Sequence, residues 1–255
     1  MAEIEILKLF ALVLVRVSGL VVTAPILSSA NFPVMGKLGL AGLTAFCITP
    51  TLPALETPLP AEALPFALLA VGELLIGMVI GLVMQLLFAA IQVAGQIMDM
   101  QSGFGLINVF NPALETQFPI FGFLFFILAV LYLLVTYGHH MIIRALVSTF
   151  DRIPIGGFAP DTPVLMQFAG WGGLMFYDAV LLAAPVTAAM MLAYITMGLM
   201  GRVVPQINLF VIGFPLTIAI SLIVVALSIG YYLDLLESLF TDTFRNVERI
   251  IPGLG

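Results

Sequence analysis

Side chains that could carry out chemistry are few in this sequence, and none of them stands in a recognised catalytic pattern. There is no His-Glu-x-x-His, Gly-x-Ser-x-Gly, Cys-x-x-Cys or Gly-x-x-x-x-Gly-Lys motif. The two histidines, His139 and His140, are adjacent, so on a helix they point about 100° apart and cannot chelate one metal ion without other ligands. The single cysteine, Cys47, cannot form an internal disulfide. We therefore expect no enzyme activity, no metal site and no cofactor.

Glu73 is the acidic residue with the clearest functional implication, because it lies in an apolar part of the chain. A charged group at the centre of a bilayer costs about 3 kcal/mol on insertion scales, so it usually faces protein or water. Gly77 and Gly81 share its helix face, and small residues four apart let helix backbones approach closely. Glu73 is thus either a buried tertiary or subunit contact or a protonatable transport site. The second interpretation needs another ionisable residue, and three are available: Arg16, Asp99 and Asp178.

Four polar side chains form a stripe along one face of the following helical segment: Gln85, Gln92, Gln96 and Asp99. An unsatisfied amide in lipid costs several kcal/mol, so these groups must face protein or water. Contacts between helices and the lining of a pore both explain the stripe, and the pattern alone does not choose between them.

The segment Gln101–Pro119 after this stripe has loop-type glycines and an Asn-Pro turn signal, yet it is unusually apolar. Its large apolar side chains include Phe104, Ile107, Val109 and Phe110. Such a loop suits a protein-lined cavity that buries these groups, and a simple hydrophobic cover is the alternative.

The composition defines the class of protein that must position these residues. Of 255 residues, 62% are hydrophobic and 9% are charged, and the mean hydropathy is +1.21. Soluble domains carry about 25% charged residues. The 14 acidic and 8 basic residues give a net charge of −6, which excludes the basic patches that nucleic-acid binding requires. The chain is predicted to be an all-α polytopic membrane protein of about six to eight apolar helices.

Charge-free runs locate these helices, since about 20 apolar residues cross the hydrocarbon. A further run, Thr162–Tyr177, is predicted to be a short or re-entrant helix. The Thr49–Pro65 loop carries only acids and is assigned to the non-cytoplasmic side, whereas the tail with Arg245 and Arg249 is assigned to the cytoplasm. The six longer runs are Val17–Gly36, Leu38–Leu55, Leu74–Met98, Thr116–Ile143, Ala179–Gly201 and Val203–Leu233.

Several motifs, in the same order along the chain, resemble the FliR/SctT family of type III secretion export-gate subunits, in its flagellar branch. The resemblance covers about residues 10–235. Where the family commonly has Asp-Pro, this chain has Asn111-Pro112, which weakens any role for a carboxylate there. The matching segments are Gly72–Gly81, Gln92–Gln101, Asn111-Pro112, Gln117–Pro119, Gly201–Phe210 and Gly213–Pro215, with Arg16, Pro25 and Pro33 near the start.

The resemblance implies one subunit of an export gate that contains several copies of FliP and FliQ. Residues 1–165 would be similar to FliP, and residues 166–255 would form a FliQ-like helical hairpin and cytoplasmic tail, within one continuous membrane domain. In such gates the helices stack as a right-handed spiral, and much of the complex is lifted out of the bilayer plane.

The resemblance also implies which residues act. A plug inside the closed pore would comprise Leu106–Gln117, with Phe110 as the blocking side chain; the plug residues are Leu106, Ile107, Val109, Phe110, Asn111 and Pro112. Helix and subunit packing would involve Glu73, Gly77, Gly81, Gln85, Gln92, Gln96, Pro205, Gln206 and Asn208.

The implied function is the passage of unfolded export substrates through this pore, in the flagellar basal body of the bacterial inner membrane. FlhA and FlhB are further implied partners, together with membrane lipid. No nucleotide site is present in the sequence, so energy would come from the export ATPase and the proton-motive force acting on partner subunits. The alternative is a small-solute or proton-coupled secondary transporter that uses Glu73.

Overall fold

The computed structural model describes residues 2–29, 32–53, 58–105, 119–206 and 208–255. These residues form eight α-helices, two short 3-10 turns and no β-strand. The turns are Thr49–Thr51 and Ile251–Leu254. The prediction of an all-α polytopic membrane protein is confirmed. The helices are α1 (Ala2–Thr23), α2 (Val34–Ile48), α3 (Ala63–Ser102), α4 (Ile120–Val135), α5 (Gly138–Arg152), α6 (Thr162–Val203), α7 (Leu209–Leu227) and α8 (Ile229–Ile250).

Among the described residues, four helices can cross a membrane by length and composition: α1, α2 together with the 3-10 turn that continues it to Thr51, α3 and α6. Two bent pairs add one span each if each pair is counted as one. The axes of α4 and α5 differ by 67°, and those of α7 and α8 by 62°. Tyr137, at the first bend, has a left-handed backbone (φ 55°), which ends α4 and redirects the chain.

The predicted short helix at Thr162–Tyr177 is wrong: this segment is the first part of the 42-residue helix α6. The prediction ended the segment at Asp178 because that residue interrupts the apolar run. One acidic side chain does not break helical hydrogen bonding, and no glycine or proline follows it until Pro185, within the helix. The helix therefore continues.

The predicted runs that begin at Val17, Thr116 and Val203 are also divided in the structure, because hydropathy does not show where the chain turns. The first contains the turn between α1 and α2, where Pro33 precedes the first residue of α2. The second is divided at Tyr137. The third is divided between α6 and α7 and again between α7 and α8.

The helices form two compact units, each made of discontinuous stretches of chain. Unit 1 comprises residues 1–86, 133–171 and 241–255, and unit 2 comprises residues 87–132 and 172–240. Both units therefore draw on each side of the predicted division at residue 165. That division concerns similarity to sister subunits, which compactness does not address, and it stays a prediction.

In unit 1, the core is aliphatic and is closed by the C-terminus. The end of α8 and the turn after it carry buried Val247, Ile250 and Leu254. Backbone N–H groups of Ala159 and Asp161 donate to carbonyls of the C-terminal turn at 3.0 and 3.1 Å. The C-terminal residues are thereby attached to the loop between α5 and α6.

In unit 2, the core is rich in aromatic rings. Phe125 packs on Tyr232 with ring centroids 4.6 Å apart, and Phe88 meets Phe126 and Phe240 edge-on at 5.7 and 6.0 Å. These contacts join α3 and α4 to α8.

Candidate functional site

Unit 1 contains a buried ion pair between α1 and α3. The Arg16 Nε donates to Glu73 Oε2 at 2.5 Å, and both side chains are 0% exposed. Arg16 was one of three partners that the sequence left open for Glu73, and the structure selects it.

The remaining polar atoms of this pair bind to α5 and to the loop that follows it. Arg16 donates to Thr149 Oγ1 at 3.1 Å and to the Ile153 carbonyl at 3.2 and 3.3 Å, and its guanidinium lies 4.2 Å from the centre of the Phe150 ring. Glu73 Oε1 accepts the Gly156 N–H at 2.8 Å. Because two buried charges are stabilised only when their hydrogen bonds are satisfied, the whole network holds four chain segments in one arrangement.

Glycines bring α1 close enough to α3 for this pair to form. A Cβ on Gly77 would collide with the backbone carbonyl of Arg16, and one on Gly81 would collide with Thr23. From the opposite side, a Cβ on Gly19 would collide with the Leu74 carbonyl. The Gly77–Gly81 face therefore lies on α1 of the same chain, and a side chain at any of these positions would separate the helices.

The predicted polar stripe divides in the structure. Gln92 and Gln96 are exposed on α3, whereas Asp99 is buried. Gln85 is half-buried, and its Oε1 has no hydrogen-bond partner in the structure. Of the four residues of the stripe, only Gln92 and Gln96 are exposed on the surface of α3.

Asp99 contacts the start of α4 within unit 2. Its Oδ1 accepts the Phe121 N–H at 3.0 Å and its Oδ2 accepts the Gly122 N–H at 3.4 Å. Those N–H groups belong to the first turn of α4, which has no acidic residue of its own. Sequence reasoning did not find this contact. The absence of a capping side chain before Ile120 is the signal that could have suggested it.

All six predicted plug residues lie outside the residues that the structure describes: Leu106, Ile107, Val109, Phe110, Asn111 and Pro112. The described residues before and after this segment are in contact, since the Phe104 and Phe121 rings pack edge-on with their centroids 5.5 Å apart.

The predicted packing residues between α6 and α7 are exposed: Pro205, Gln206 and Asn208. Asn208 Oδ1 accepts the Val211 N–H at 3.4 Å, an N-cap contact at the start of α7. The exposed side of these three residues is available to another chain.

His139 and His140 begin α5 beside Tyr137, with the two imidazole centroids 4.2 Å apart. Within the described ranges, no three His, Cys, Asp or Glu residues are grouped to hold a metal ion. The described geometry is therefore that of buried structural networks, close helix contacts and exposed apolar surface.

A helical chain with several candidate spans, internal charge pairing and an apolar exterior is a polytopic membrane protein. Its sequence matches the family described as bacterial export proteins, family 1, over residues 7–243. The chain belongs to this family.

Within the family, the similarity is to flagellar biosynthetic proteins named FliR. The chain is 36% identical to FliR of Escherichia coli (strain K12) over 249 residues, which cover 97% of this chain and 94% of that protein. It is 30% identical to FliR of Bacillus subtilis (strain 168) over 258 residues, covering 99% and 98%. FliR of Aquifex aeolicus is 28% identical over 246 residues, covering 93% and 92%.

Proposed function

We propose that this chain is a non-catalytic subunit of the flagellar type III protein export gate. It assembles with FliP and FliQ around a closed pore in the inner membrane, with FlhA and FlhB as further partners and the C-terminus in the cytoplasm. Unfolded export substrates pass through the pore, and residues 106–117 plug it. The observation that carries this proposal is the similarity to FliR proteins over nearly the full length of both chains.

The outer surface of α3 supports an assembled state. Gln92 and Gln96 are exposed in a helix long and apolar enough to cross a membrane. Amide groups in lipid lose their hydrogen bonds, so these two side chains need a sister subunit or a water-filled conduit beside them.

The transporter alternative, with Glu73 as a proton carrier, receives no support from the contacts of Glu73. Both carboxylate oxygens accept hydrogen bonds, and one of them is paired with Arg16 at 0% exposure. Protonation would remove a charge-assisted bond and leave the Arg16 cation buried without a counter-charge. A carrier site needs a carboxylate that exchanges its proton with water.

Assembly is tested by native mass spectrometry of the chain co-expressed with FliP and FliQ. We expect a hetero-oligomer that contains this chain. A lone monomer that moves a small solute in proteoliposomes would overturn the proposal and favour the transporter.

The plug is tested by deletion of Phe110–Leu114 and measurement of conductance of the assembled complex in planar bilayers. We expect normal assembly with a new ion leak, since burial of one Phe stabilises by only about 1.5–3 kcal/mol and a few such groups form the seal. An assembled deletion variant that conducts no more than the parent would refute the plug.

A further inference from the structure

The loop between α5 and α6 covers the buried Arg16–Glu73 pair, and we call its residues 153–161 the lid. The lid supplies a hydrogen-bond partner to each member of the pair. The Ile153 carbonyl accepts from Arg16 at 3.2 and 3.3 Å, and the Gly156 N–H donates to Glu73 at 2.8 Å. Because a buried ion pair is stable only when its remaining hydrogen bonds are satisfied, the pair depends on the closed position of the lid.

The lid also fits closely against α3. Gly156 has φ +82°, and a Cβ there would press on the Leu69 side chain. One turn further along α3, a Cβ on Gly72 would press on Phe158 of the lid. Glycine adopts a left-handed backbone without strain, and with this backbone the Gly156 N–H reaches Glu73. The closed position of the lid is therefore defined by backbone shape as well as by the ion pair.

The C-terminal turn holds the far end of the lid, and we call its residues 251–255 the latch. The Leu254 carbonyl accepts the Ala159 N–H at 3.0 Å, and the Gly253 carbonyl accepts the Asp161 N–H at 3.1 Å. Neither of these bonds involves the ion pair, so the pair and the latch hold the lid at different points.

Close packing fixes the position of the latch. A Cβ on Gly253 would collide with the Val164 side chain in the first turn of α6. A Cβ on Gly255 would press on Ile153, the lid residue whose carbonyl accepts the guanidinium. Leu254, between these two glycines, is buried. The latch therefore contacts the lid near both of its ends.

We propose that the latch keeps the lid closed, so that access of water to the Arg16–Glu73 pair depends on the position of the C-terminal turn. Displacement of the latch frees the far end of the lid, and the Gly156 N–H and the Ile153 carbonyl then leave the pair. Movement at the end of α8 is thereby transmitted to the contact between α1 and α3. The inference goes beyond the proposed function and does not depend on it, because every group that carries it lies in unit 1 of this chain.

The Gly156 N–H is the reporter of lid opening, because it donates to Glu73 and not to the latch. Hydrogen exchange resolved to single amides measures its opening in the full chain in detergent micelles. Gly253→Ala introduces the Cβ that collides with Val164 and leaves every residue of the lid unchanged. In the Val164→Ala background the same Cβ would lie 3.6 Å from the remaining Cβ at position 164, which is an ordinary contact.

The matched control is Gly39→Ala in α2, which adds a methyl group where a Cβ would meet nothing within 4 Å. We expect Gly253→Ala to raise the exchange rate of the Gly156 amide about tenfold, since overpacking of this kind shifts an equilibrium by about that factor. The same change should have little effect in the Val164→Ala background, and Gly39→Ala should match the parent. An equal acceleration in both backgrounds would overturn the inference, because it would not arise from the position of the latch.

Deletion of residues 251–255 is the second variant, and it decides the question if a small shift of Val164 absorbs the added methyl group. About tenfold faster exchange at Gly156 in the deletion supports the inference, and the parental rate overturns it. The amides of Ile76 and Ile80, buried on α3, distinguish lid opening from a general loosening of unit 1. They should keep their parental rates in Gly253→Ala, and acceleration equal to that of Gly156 would refute a separate movement of the lid.

Discussion

Removal of either partner of the Arg16–Glu73 pair should destabilise unit 1 far more than removal of both. Arg16→Met leaves the Glu73 charge at 0% exposure without its cation, and Glu73→Met leaves the Arg16 charge without its anion. Breaking a buried pair by one partner costs about 3–5 kcal/mol. We therefore expect each single variant to lose about that amount of unfolding free energy.

The double variant Arg16→Met, Glu73→Met removes both charges together. Gly156 is exposed, so its N–H can donate to water in place of Glu73, whereas Ile153 is 0% exposed and its carbonyl loses the donors that Arg16 supplied. One unsatisfied buried backbone group costs about 1–3 kcal/mol. The double variant should thus lie about 1–3 kcal/mol below the parent, whereas additivity of the two single changes would put it about 6–10 kcal/mol below.

The assay is SDS-induced unfolding of the full chain in mixed micelles, followed by far-UV circular dichroism. Arg245→Ala is the matched control, because its ion pair with Asp242 is over half exposed and should contribute about 0–1 kcal/mol. Additive losses in the double variant, or single losses no larger than that of the control, would refute the reasoning from burial.

Three further predictions concern backbone geometry and use the same unfolding assay. Gly77→Ala should cost about 1–3 kcal/mol, since its Cβ meets the Arg16 carbonyl, and a silent change would show that α1 and α3 are not in contact there. Gly103→Ala should cost about 1–3 kcal/mol because of its positive φ and the Phe214 ring, so parental stability would contradict the assigned backbone. Tyr137→Gly should raise the free energy of unfolding by about 1 kcal/mol, because glycine adopts the left-handed backbone without strain. A lower free energy of unfolding would mean that the exposed tyrosine ring contributes more stability than the backbone strain removes.

The polar residues of α3 lie in different environments, and the difference follows from their side chains. The carboxyl group of Asp99 is buried and needs donors inside the protein, which the first turn of α4 supplies. Gln92 and Gln96 are neutral and tolerate an exposed position until a partner or water covers them. Residues that share one predicted face of α3 therefore lie in two different environments, one exposed and one buried.

The class of the protein followed from composition, because so apolar a chain cannot be solvated by water. The existence of long helices, and the need for Glu73 to be buried or paired, followed from the cost of charges and open hydrogen bonds in lipid. The close-packing face of Gly77 and Gly81 could also be predicted from their spacing. The resemblance to an export family came from motifs that match that family.

Only the tertiary structure decided which groups meet. Glu73 had three possible partners in the sequence, and the fold brings Arg16 to it from 57 residues away. The spacing of Gly77 and Gly81 predicts a close helix contact but does not say that α1 is the helix that makes it. Helix ends at Tyr137 and the continuation of α6 past Asp178 depend on backbone hydrogen bonding, which hydropathy does not report. Asp99 binds the amides of a helix that begins 21 residues later, and such a contact exists only once α3 and α4 pack together.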